Sequence, residues 1–337
     1  MTFTDPDADP LARLKRDHYG RPLVIPPDGG KAIGYTRATT IAGCIDDKSK
    51  IAYWQMRMVA LGILDQPTDA RRAAMLLQIE AARDDKRKLD EVCEQLKDMG
   101  GGNVKREQGT ALHKLCEKLD KGLELGTVPT EYQGDIGAYA QATAHLTPHA
   151  IEEFTVLDEF TIGGTPDRIV ELPDGRMVIA DIKTGSIEYS GLTIAVQLAI
   201  YAHSQHYDQP TNTRRSLGPI DLDTAIVIHL PGTEGVCTLV EVDIAAGWEA
   251  LPVAVAVHTW RKRRDLLRAH APAAVPAPLV AVPDAPVDPL ANEVASATSV
   301  DQLIAIWERE RPRGKWSPRL TQLAAERKSR ILKGGAA

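Results

Sequence analysis

The sequence predicts an α/β or α+β protein, and three features of its pattern support this fold class. Helix formers dominate the first part of the chain, β-branched residues become frequent after residue 150, and helices then alternate with strands. The composition, with 43% hydrophobic and 26% charged residues, is typical of a globular protein and excludes a disordered or fibrous chain. With 337 residues, the chain can form a sizeable core and a second, smaller unit.

The first part of the chain, residues 1–104, is predicted to be a helical N-terminal extension. Helix formers with few breakers cover residues 51–62 and 69–99. A polar stretch at 83–88 marks either a solvated part of the second helix or a short break in it. The three glycines at 100–102 end this extension.

Residues 105–269 are predicted to be the core. We predict helices at about 105–121, 131–145, 193–206 and 245–269, and strands at about 151–157, 160–162, 167–172, 177–183, 224–229 and 236–242. Residues 173–176 read Pro-Asp-Gly-Arg, which is typical of a turn. The strands on either side of this turn are therefore predicted to form a hairpin.

The end of the chain is predicted to be a separate module. Ala- and Pro-rich residues 270–290 favour a semi-rigid linker, and two short helices at 299–309 and 317–332 follow within the module at 291–337. Residues 303–333 contain nine basic and three acidic side chains, although the formal net charge of the chain is −6. These charges either bind nucleic acid or a partner protein, or form the solvated surface of a helix pair.

Several classes of protein are excluded by what the sequence lacks. The four cysteines contain no C-x-x-C pair, which argues against a zinc site or a disulfide framework. No stretch approaches 18 uncharged apolar residues, and the first residues lack the pattern of a signal peptide. We therefore expect a cytoplasmic protein that does not contact a membrane.

The predicted hairpin carries the residues with the clearest chemical meaning. Asp181 and Lys183 are two positions apart on a strand, so their side chains point to the same face. Asp167 is brought near them by the pairing of the two strands. Two carboxylates and a lysine at one end of a sheet favour a site for a hard cation. The alternative is an ordinary exposed salt bridge at the end of a strand.

Two helices add candidate residues. His113 and Glu117 are four positions apart on one helical face, so His113 could complete a metal site and Glu117 could orient it. Gln197 and Tyr201 share a face of the helix that follows the hairpin. Taken singly, His113 is more often a core or surface histidine than a ligand, and Gln197 and Tyr201 are better explained as the rim of a partly buried helix.

Four sequence pieces follow one another between residues 105 and 205. They are Gly109-Thr-x-x-His113, Gly164-Thr-Pro166-Asp167, Asp181-Ile182-Lys183 and Gln197-x-x-x-Tyr201. Their order and spacing resemble the RecB-like branch of the PD-(D/E)XK nuclease superfamily, and within it the CRISPR-associated-type exonucleases encoded by actinobacterial phages. Asp181 stands where many relatives have Glu. The resemblance implies a restriction-endonuclease-like core with a central mixed sheet flanked by helices.

The resemblance also implies roles for these residues. His113, Asp167, Asp181 and the main-chain carbonyl of Ile182 would bind Mg²⁺ or Mn²⁺, and Lys183 would position the attacking water. Gln197 and Tyr201 would align the strand being cut, and Glu152 is expected to be no more than an outer-shell acid. Some relatives hold an iron–sulfur cluster on four cysteines. Only Cys237 follows the motifs here, so we expect no such cluster.

The function that follows from this resemblance is a metal-dependent DNA exonuclease, working in phage recombination, repair or replication. Its partners would be DNA and a recombinase or single-strand annealing protein. The same fold also serves endonucleases and resolvases, which remain an alternative. A second alternative, from a different class, is a catalytically inactive nucleic-acid-binding regulator built on a nuclease scaffold.

Overall fold

A computed structural model describes residues 14–270 and 288–334 of the chain. They fall into two compact units, divided between Arg264 and Asp265. The strands are β1 (Leu23–Val24), β2 (Ile33–Gly34), β3 (Thr36–Arg37), β4 (Thr147–Ile151), β5 (Thr155–Leu157), β6 (Ile162–Gly164), β7 (Arg168–Glu171), β8 (Met177–Lys183), β9 (Gln205–Asp208), β10 (Thr213–Arg215), β11 (Thr224–His229) and β12 (Thr238–Asp243). The helices are α1 (Ala38–Ala42), α2 (Ser49–Leu64), α3 (Asp69–Ala82), α4 (Lys86–Met99), α5 (Val104–Asp120), α6 (Thr130–Thr143), α7 (Gly191–Ala202), α8 (Ile244–Trp260), α9 (Pro289–Ser296), α10 (Val300–Glu310) and α11 (Pro318–Gly334).

The first unit confirms the predicted α/β fold class, because it consists of mixed sheets flanked by helices. One sheet has the order β12-β11-β8-β7-β4, with β8 and β11 parallel and the other neighbours antiparallel. A second five-stranded sheet, which the sequence did not predict, has the order β10-β9-β5-β6-β3. In that sheet β3 and β6 run parallel, and the remaining pairs are antiparallel.

The central hairpin of the first sheet forms as predicted. Strands β7 and β8 pair antiparallel, and Gly175 in the turn adopts a φ of +88°, which glycine accommodates without steric cost. The two faces of β8 pack differently. Val178, Ala180 and Ile182 belong to the apolar cluster formed with α5 and α6, whereas Ile179 packs on the opposite side with α7 and α8. Asp181 lies on the same side as Ile179, beneath α7.

Two of the connections between the sheets, from β4 to β5 and from β6 to β7, each carry an acid. Strand β4 belongs to the first sheet and β5 to the second, so the predicted continuous strand at 151–157 is wrong. The break occurs at Glu152, whose φ of +55° does not fit an extended strand. Strand propensity is high on both sides of this residue, so it does not reveal the break. The return crossing, from β6 to β7, ends at Asp167.

Other differences from the sequence prediction lie in short or unpacked segments. The extension contains β1, β2 and β3 besides helices, and strands of two residues are too short to show an alternating pattern. The hairpin β9–β10 was not predicted, for the same reason. The last helix of the core ends at Trp260 instead of residue 269, because residues 261–270 are exposed and no packing stabilises further turns.

The second unit contains three helices within its described residues, where the sequence predicts two. The additional helix α9 begins at Pro289, and the side chain of Asp288 caps it by accepting a hydrogen bond from the Leu290 N–H. The unit has its own small apolar core, formed by Val294, Ala297, Leu303, Ile306 and Leu320. The predicted linker lies largely outside the described residues. Across the described part of the chain, no helix combines the length and apolar character needed to span a membrane.

Candidate functional site

The carboxylate of Asp181 is the most buried charge at the end of the hairpin. Asp181 is 3% exposed, and its Oδ2 lies 2.6 Å from Lys183 Nζ. Apart from this ion pair, Oδ2 has no partner among the described residues. Burial and the neighbouring Asp167 raise the pKa of Asp181 to about 6, while Lys183 acts in the opposite direction. Since a carboxylate oxygen carries two lone pairs, Oδ2 can still accept a further electropositive group beside Lys183.

Asp167 lies directly beside this carboxylate, as the sequence predicts. Its Oδ2 accepts a hydrogen bond of 2.8 Å from the main-chain N–H of Ile182, which fixes the carboxylate against β8. The same oxygen lies 3.5 Å from His113 Nδ1. Burial raises the pKa of Asp167, and the adjacent Arg168 opposes this effect. The carboxylate of Asp167, which directly precedes β7, thus contacts both α5 and β8.

His113 reaches this point from α5, where Leu112 and Cys116 anchor the helix in the core. Burial lowers the pKa of His113, and the charge of Asp181 opposes that change. The main chain of Ile182 also acts to raise the pKa of His113. A neutral imidazole beside two carboxylates and a main-chain group is a set of ligands suited to a divalent cation. Glu117, predicted to orient His113, instead pairs with Lys121.

Glu152 is the residue whose position the sequence reasoning underestimated. Ligand atoms of His113, Glu152 and Asp167 all lie within 4.8 Å of one another. The crossing between β4 and β5 brings Glu152 there, and its N–H donates a hydrogen bond of 3.0 Å to the main-chain oxygen of Asp167. No sequence signal distinguishes Glu152 from the neighbouring Glu153, because only the break between the two sheets separates their surroundings.

The crowding of these acids provides a test of whether a cation fits. Burial, together with the charges of Asp167 and Glu117, raises the pKa of Glu152 to about 8. Two buried carboxylates, Asp167 and Asp181, thus lie near the partly buried Glu152, and Lys183 is the one partner of Asp181 Oδ2 among the described residues. A divalent cation would neutralise part of this negative charge and bind the remaining lone pair of that oxygen. The residues present therefore fit such a cation.

Gln197 and Tyr201 lie on the side of α7 that covers Asp181. Gln197 Nε2 lies 3.4 Å from Asp181 Oδ1 and 3.4 Å from the hydroxyl oxygen of Tyr201. Tyr201 is 3% exposed and Gln197 is 8% exposed. The predicted pair is therefore brought to the site, but Tyr201 is too deeply buried to touch a long substrate. Its contact with the site passes through Gln197.

A second buried ion pair, which the sequence reasoning missed, supports the strand that follows Asp167. Arg168 pairs with Asp120, and the hydroxyl of Tyr139 donates a hydrogen bond of 2.7 Å to the same carboxylate. The guanidinium of Arg168 also lies over the ring of Tyr139. An arginine within an apolar strand gives no sequence indication of its partner. This cluster fixes the direction of β7 and places a positive charge behind Asp167.

The site opens to solvent through a cleft beside Lys183, which we call the active-site cleft. Its walls include Asp46, Lys183, Ser186, Thr193 and Gln197. The cleft therefore joins the end of β8 to α7 and to the segment between α1 and α2. A molecule lying in this cleft would reach the ammonium of Lys183 and the amide of Gln197 directly.

The comparison with protein families agrees with this geometry. Residues 124–227 match the model of the PD-(D/E)XK nuclease superfamily. For this segment, the match bears out the resemblance to that superfamily that the sequence motifs carry. The match includes Asp167, Asp181 and Lys183 and excludes His113 and both ends of the chain. No match was found among the curated proteins.

The match to the PD-(D/E)XK superfamily supports a metal-dependent nuclease, and the nuclease fold implies DNA as its substrate. Nucleases of this superfamily use divalent metal ions, and the group of His113, Glu152 and Asp167 provides suitable ligands. The three residues of the D-x-K motif, Asp181, Ile182 and Lys183, occupy the last positions of β8. The apolar strand thus carries the motif from the protein core to the edge of the active-site cleft.

Proposed function

We propose that this protein is a divalent-metal-dependent DNA exonuclease that serves recombination, repair or replication of phage DNA in the bacterial cytoplasm. The observation that carries the proposal is the buried Asp181 at the end of the PD-(D/E)XK hairpin. The charges of Asp167 and His113 act on this carboxylate, and Lys183 Nζ lies 2.6 Å from its Oδ2. Removing such charges from water costs stability, so a structural role alone gives little reason to keep them.

The proposal assigns metal binding to His113, Asp167, Asp181 and the carbonyl of Ile182, and adds Glu152 to this set. A bound divalent cation supplies Lewis-acid polarisation of the phosphoryl oxygens and a water of lowered pKa. Because imidazole suits Mn²⁺ better than Mg²⁺, which prefers oxygen ligands, Mn²⁺ should support cleavage at least as well as Mg²⁺.

The remaining catalytic residues act on water and substrate. Lys183 holds an ammonium at the edge of the active-site cleft, where it can orient the attacking water and stabilise negative charge on the phosphate. The ion pair with Asp181 fixes the position of this ammonium. Gln197 contacts Asp181 and also lines the cleft, so it can align the phosphate while holding the carboxylate. Tyr201 positions Gln197 from behind.

The decisive experiment is digestion of end-labelled linear DNA, single-stranded and duplex, with Mg²⁺ and with Mn²⁺. An exonuclease releases mononucleotides or short products from the ends and leaves covalently closed circular DNA intact. Cleavage of the closed circle would establish an endonuclease or resolvase instead. Absence of cleavage with either metal would favour the inactive, DNA-binding alternative. The Lys183→Ala variant is the control for contaminating nucleases.

A role in recombination would require a recombinase or annealing protein as partner. The second unit is the proposed contact, because it is compact, basic and carries Trp307 and Trp316 near its surface. Co-purification of that partner with the full-length protein, and its loss when residues after Asp288 are removed, would support this part of the proposal. Retention of the partner by the shortened protein would contradict it.

A further inference from the structure

A second cleft of the first unit lies where β3 and α1 meet the end of α8. Its polar walls are formed by Arg21, Thr36, Arg37, Thr40, His258 and Lys262. We call it the basic cleft, since no carboxylate of the described residues lines it. None of the four sequence motifs contributes to this cleft, and the proposed catalytic residues lie outside it.

The cationic groups of the basic cleft differ in their availability. Arg21 is neutralised by Asp17, because its Nη2 lies 2.7 Å from Asp17 Oδ2. Arg37 and Lys262 are exposed, and within the described chain neither has an ion-pair partner. Two uncompensated cations therefore flank the hydroxyl groups of Thr36 and Thr40. This arrangement offers charge and hydrogen-bond donors to an oxyanion.

The surroundings extend the positive charge. Residues 261–264, which follow α8, read Arg-Lys-Arg-Arg and are exposed. Burial lowers the pKa of His258, and the positive charges of Lys262 and Arg261 lower it further. His258 thus faces the cleft as a neutral ring that can donate or accept a hydrogen bond. In a chain with a net charge of −6, such a patch concentrates attraction for an anion at one place.

The basic cleft is connected to the active-site cleft through one short segment. Thr36, Arg37 and Thr40 line the basic cleft, and Asp46, six residues after Thr40, lines the active-site cleft. Arg37 is also in register with Gly163, four residues before Asp167. Four residues of extended chain cover at most about 13 Å, a distance that a nucleic-acid strand spans in a few nucleotides.

We infer that the basic cleft binds a backbone phosphate of the DNA strand whose scissile bond lies at Asp181 and Lys183, a few nucleotides away from that bond. The inference rests on the proposed nuclease function. It adds the basic cleft as a second place, besides the active-site cleft, where the protein contacts the substrate strand. Arg37 and Lys262 supply the charge, and the threonine hydroxyls and His258 supply hydrogen bonds to the phosphate oxygens. Such contacts fix the register of the strand without reading its sequence.

The test is the dependence of binding on oligonucleotide length. Dissociation constants are measured with EDTA, so that no cleavage occurs, for single-stranded oligonucleotides of about 4 to about 16 nucleotides. The wild-type protein should gain affinity once the oligonucleotide reaches the basic cleft. The double variant Arg37→Glu/Lys262→Glu should lose most of this gain, with at least about tenfold weaker binding of the longest oligonucleotide and a salt dependence shallower by about one to two ions.

A matched control carries the same change of charge elsewhere. Arg71→Glu/Lys86→Glu alters two exposed residues on α3 and α4. The affinity of this variant should increase with oligonucleotide length as much as that of the wild type. Arg37→Gln/Lys262→Gln, which introduces no repulsion, should show the same loss as the Glu variant to a smaller extent. Thermal unfolding checks that each variant is folded.

Two outcomes would overturn the inference. One is that the affinity of the Arg37/Lys262 variant increases with oligonucleotide length as much as that of the wild type. The other is that the control variant loses as much affinity as the Arg37/Lys262 variant. Cleavage of linear DNA by the wild-type protein is measured separately. If the protein cleaves DNA but the basic cleft makes no contribution, the inference fails and the proposed function stands. If the protein cleaves nothing, the proposed function fails whatever the binding data show.

Discussion

Charged residues are placed in opposite ways in the two units of this protein. In the first unit, Asp167, Arg168 and Asp181 lie inside the sheet, where each is less than a tenth exposed. In the second unit, an apolar core lies beneath charges at the surface, such as Arg309 paired with Glu293, and Glu310 is the one buried charge of its described residues. Buried charge lowers stability unless it is fully compensated, whereas surface charge has little effect on it. The buried charge of the first unit supports the proposed catalytic role, and the surface charge of the second unit is the basis of its proposed contact with DNA or a partner.

Removing a buried charge should have the largest effect. In Asp181→Asn, cleavage should fall by roughly 10³-fold or more, since metal binding and the fixed position of Lys183 are both impaired. The free energy of unfolding should not decrease at neutral pH, because the raised pKa of Asp181 means that burial and Asp167 outweigh the attraction of Lys183 for the ionised carboxylate. Nuclease rates and urea unfolding measure the two quantities.

Asp301→Asn, at an exposed position in the first turn of α10, is the matched control and should retain wild-type cleavage. An Asp181→Asn protein that is less stable and still active would show that Asp181 is structural. The buried charge of the first unit would then no longer support a catalytic role.

The metal site itself gives the second prediction. Glu152→Gln and His113→Ala should each weaken Mn²⁺ binding by about 10- to 100-fold, because each removes one of three clustered ligand groups. Titration calorimetry measures the affinity. Glu153→Gln is the control, since its carboxylate pairs with Arg215 and lies outside this group. Equal Mn²⁺ affinity in Glu152→Gln and the wild type would return Glu152 to a role outside the metal site.

The third prediction concerns α7 and should have a smaller effect. Gln197→Ala and Tyr201→Phe are expected to reduce turnover by about tenfold, because the carboxylate of Asp181 loses its orientation. Their Mn²⁺ affinity should stay within about twofold of wild type, since neither side chain is a proposed ligand. Calorimetry and turnover are measured on the same samples. Loss of metal binding in Gln197→Ala would place Gln197 among the ligands.

The smallest effect is expected from removing the second unit. A protein that ends at Asp288 should fold and cleave DNA, because the first unit is compact by itself. It should bind DNA a few-fold more weakly and with a shallower salt dependence, since basic side chains are lost. Equal affinity and equal salt dependence for the two proteins would exclude DNA binding by the second unit and leave a protein partner or a purely structural role.

Much of the nuclease core could be predicted from the sequence. Alternation of polar and apolar residues in β8 fixes which side chains share a face, so the neighbouring positions of Asp181 and Lys183 follow from backbone geometry alone. The turn at Gly175 likewise determines the hairpin, and with it the approach of Asp167. These features depend on contacts between residues that are near in sequence, where local rules are strongest.

Tertiary structure alone decided the rest of the site. Glu152 joins His113 and Asp167 because the chain changes sheets there, and Arg37 approaches the site because β3 pairs with a strand more than a hundred residues away. Both depend on pairing between distant segments, which leaves no periodic signal in a strand of two or three residues. The sequence therefore determined the chemistry of the hairpin, while long-range packing determined which further side chains surround it.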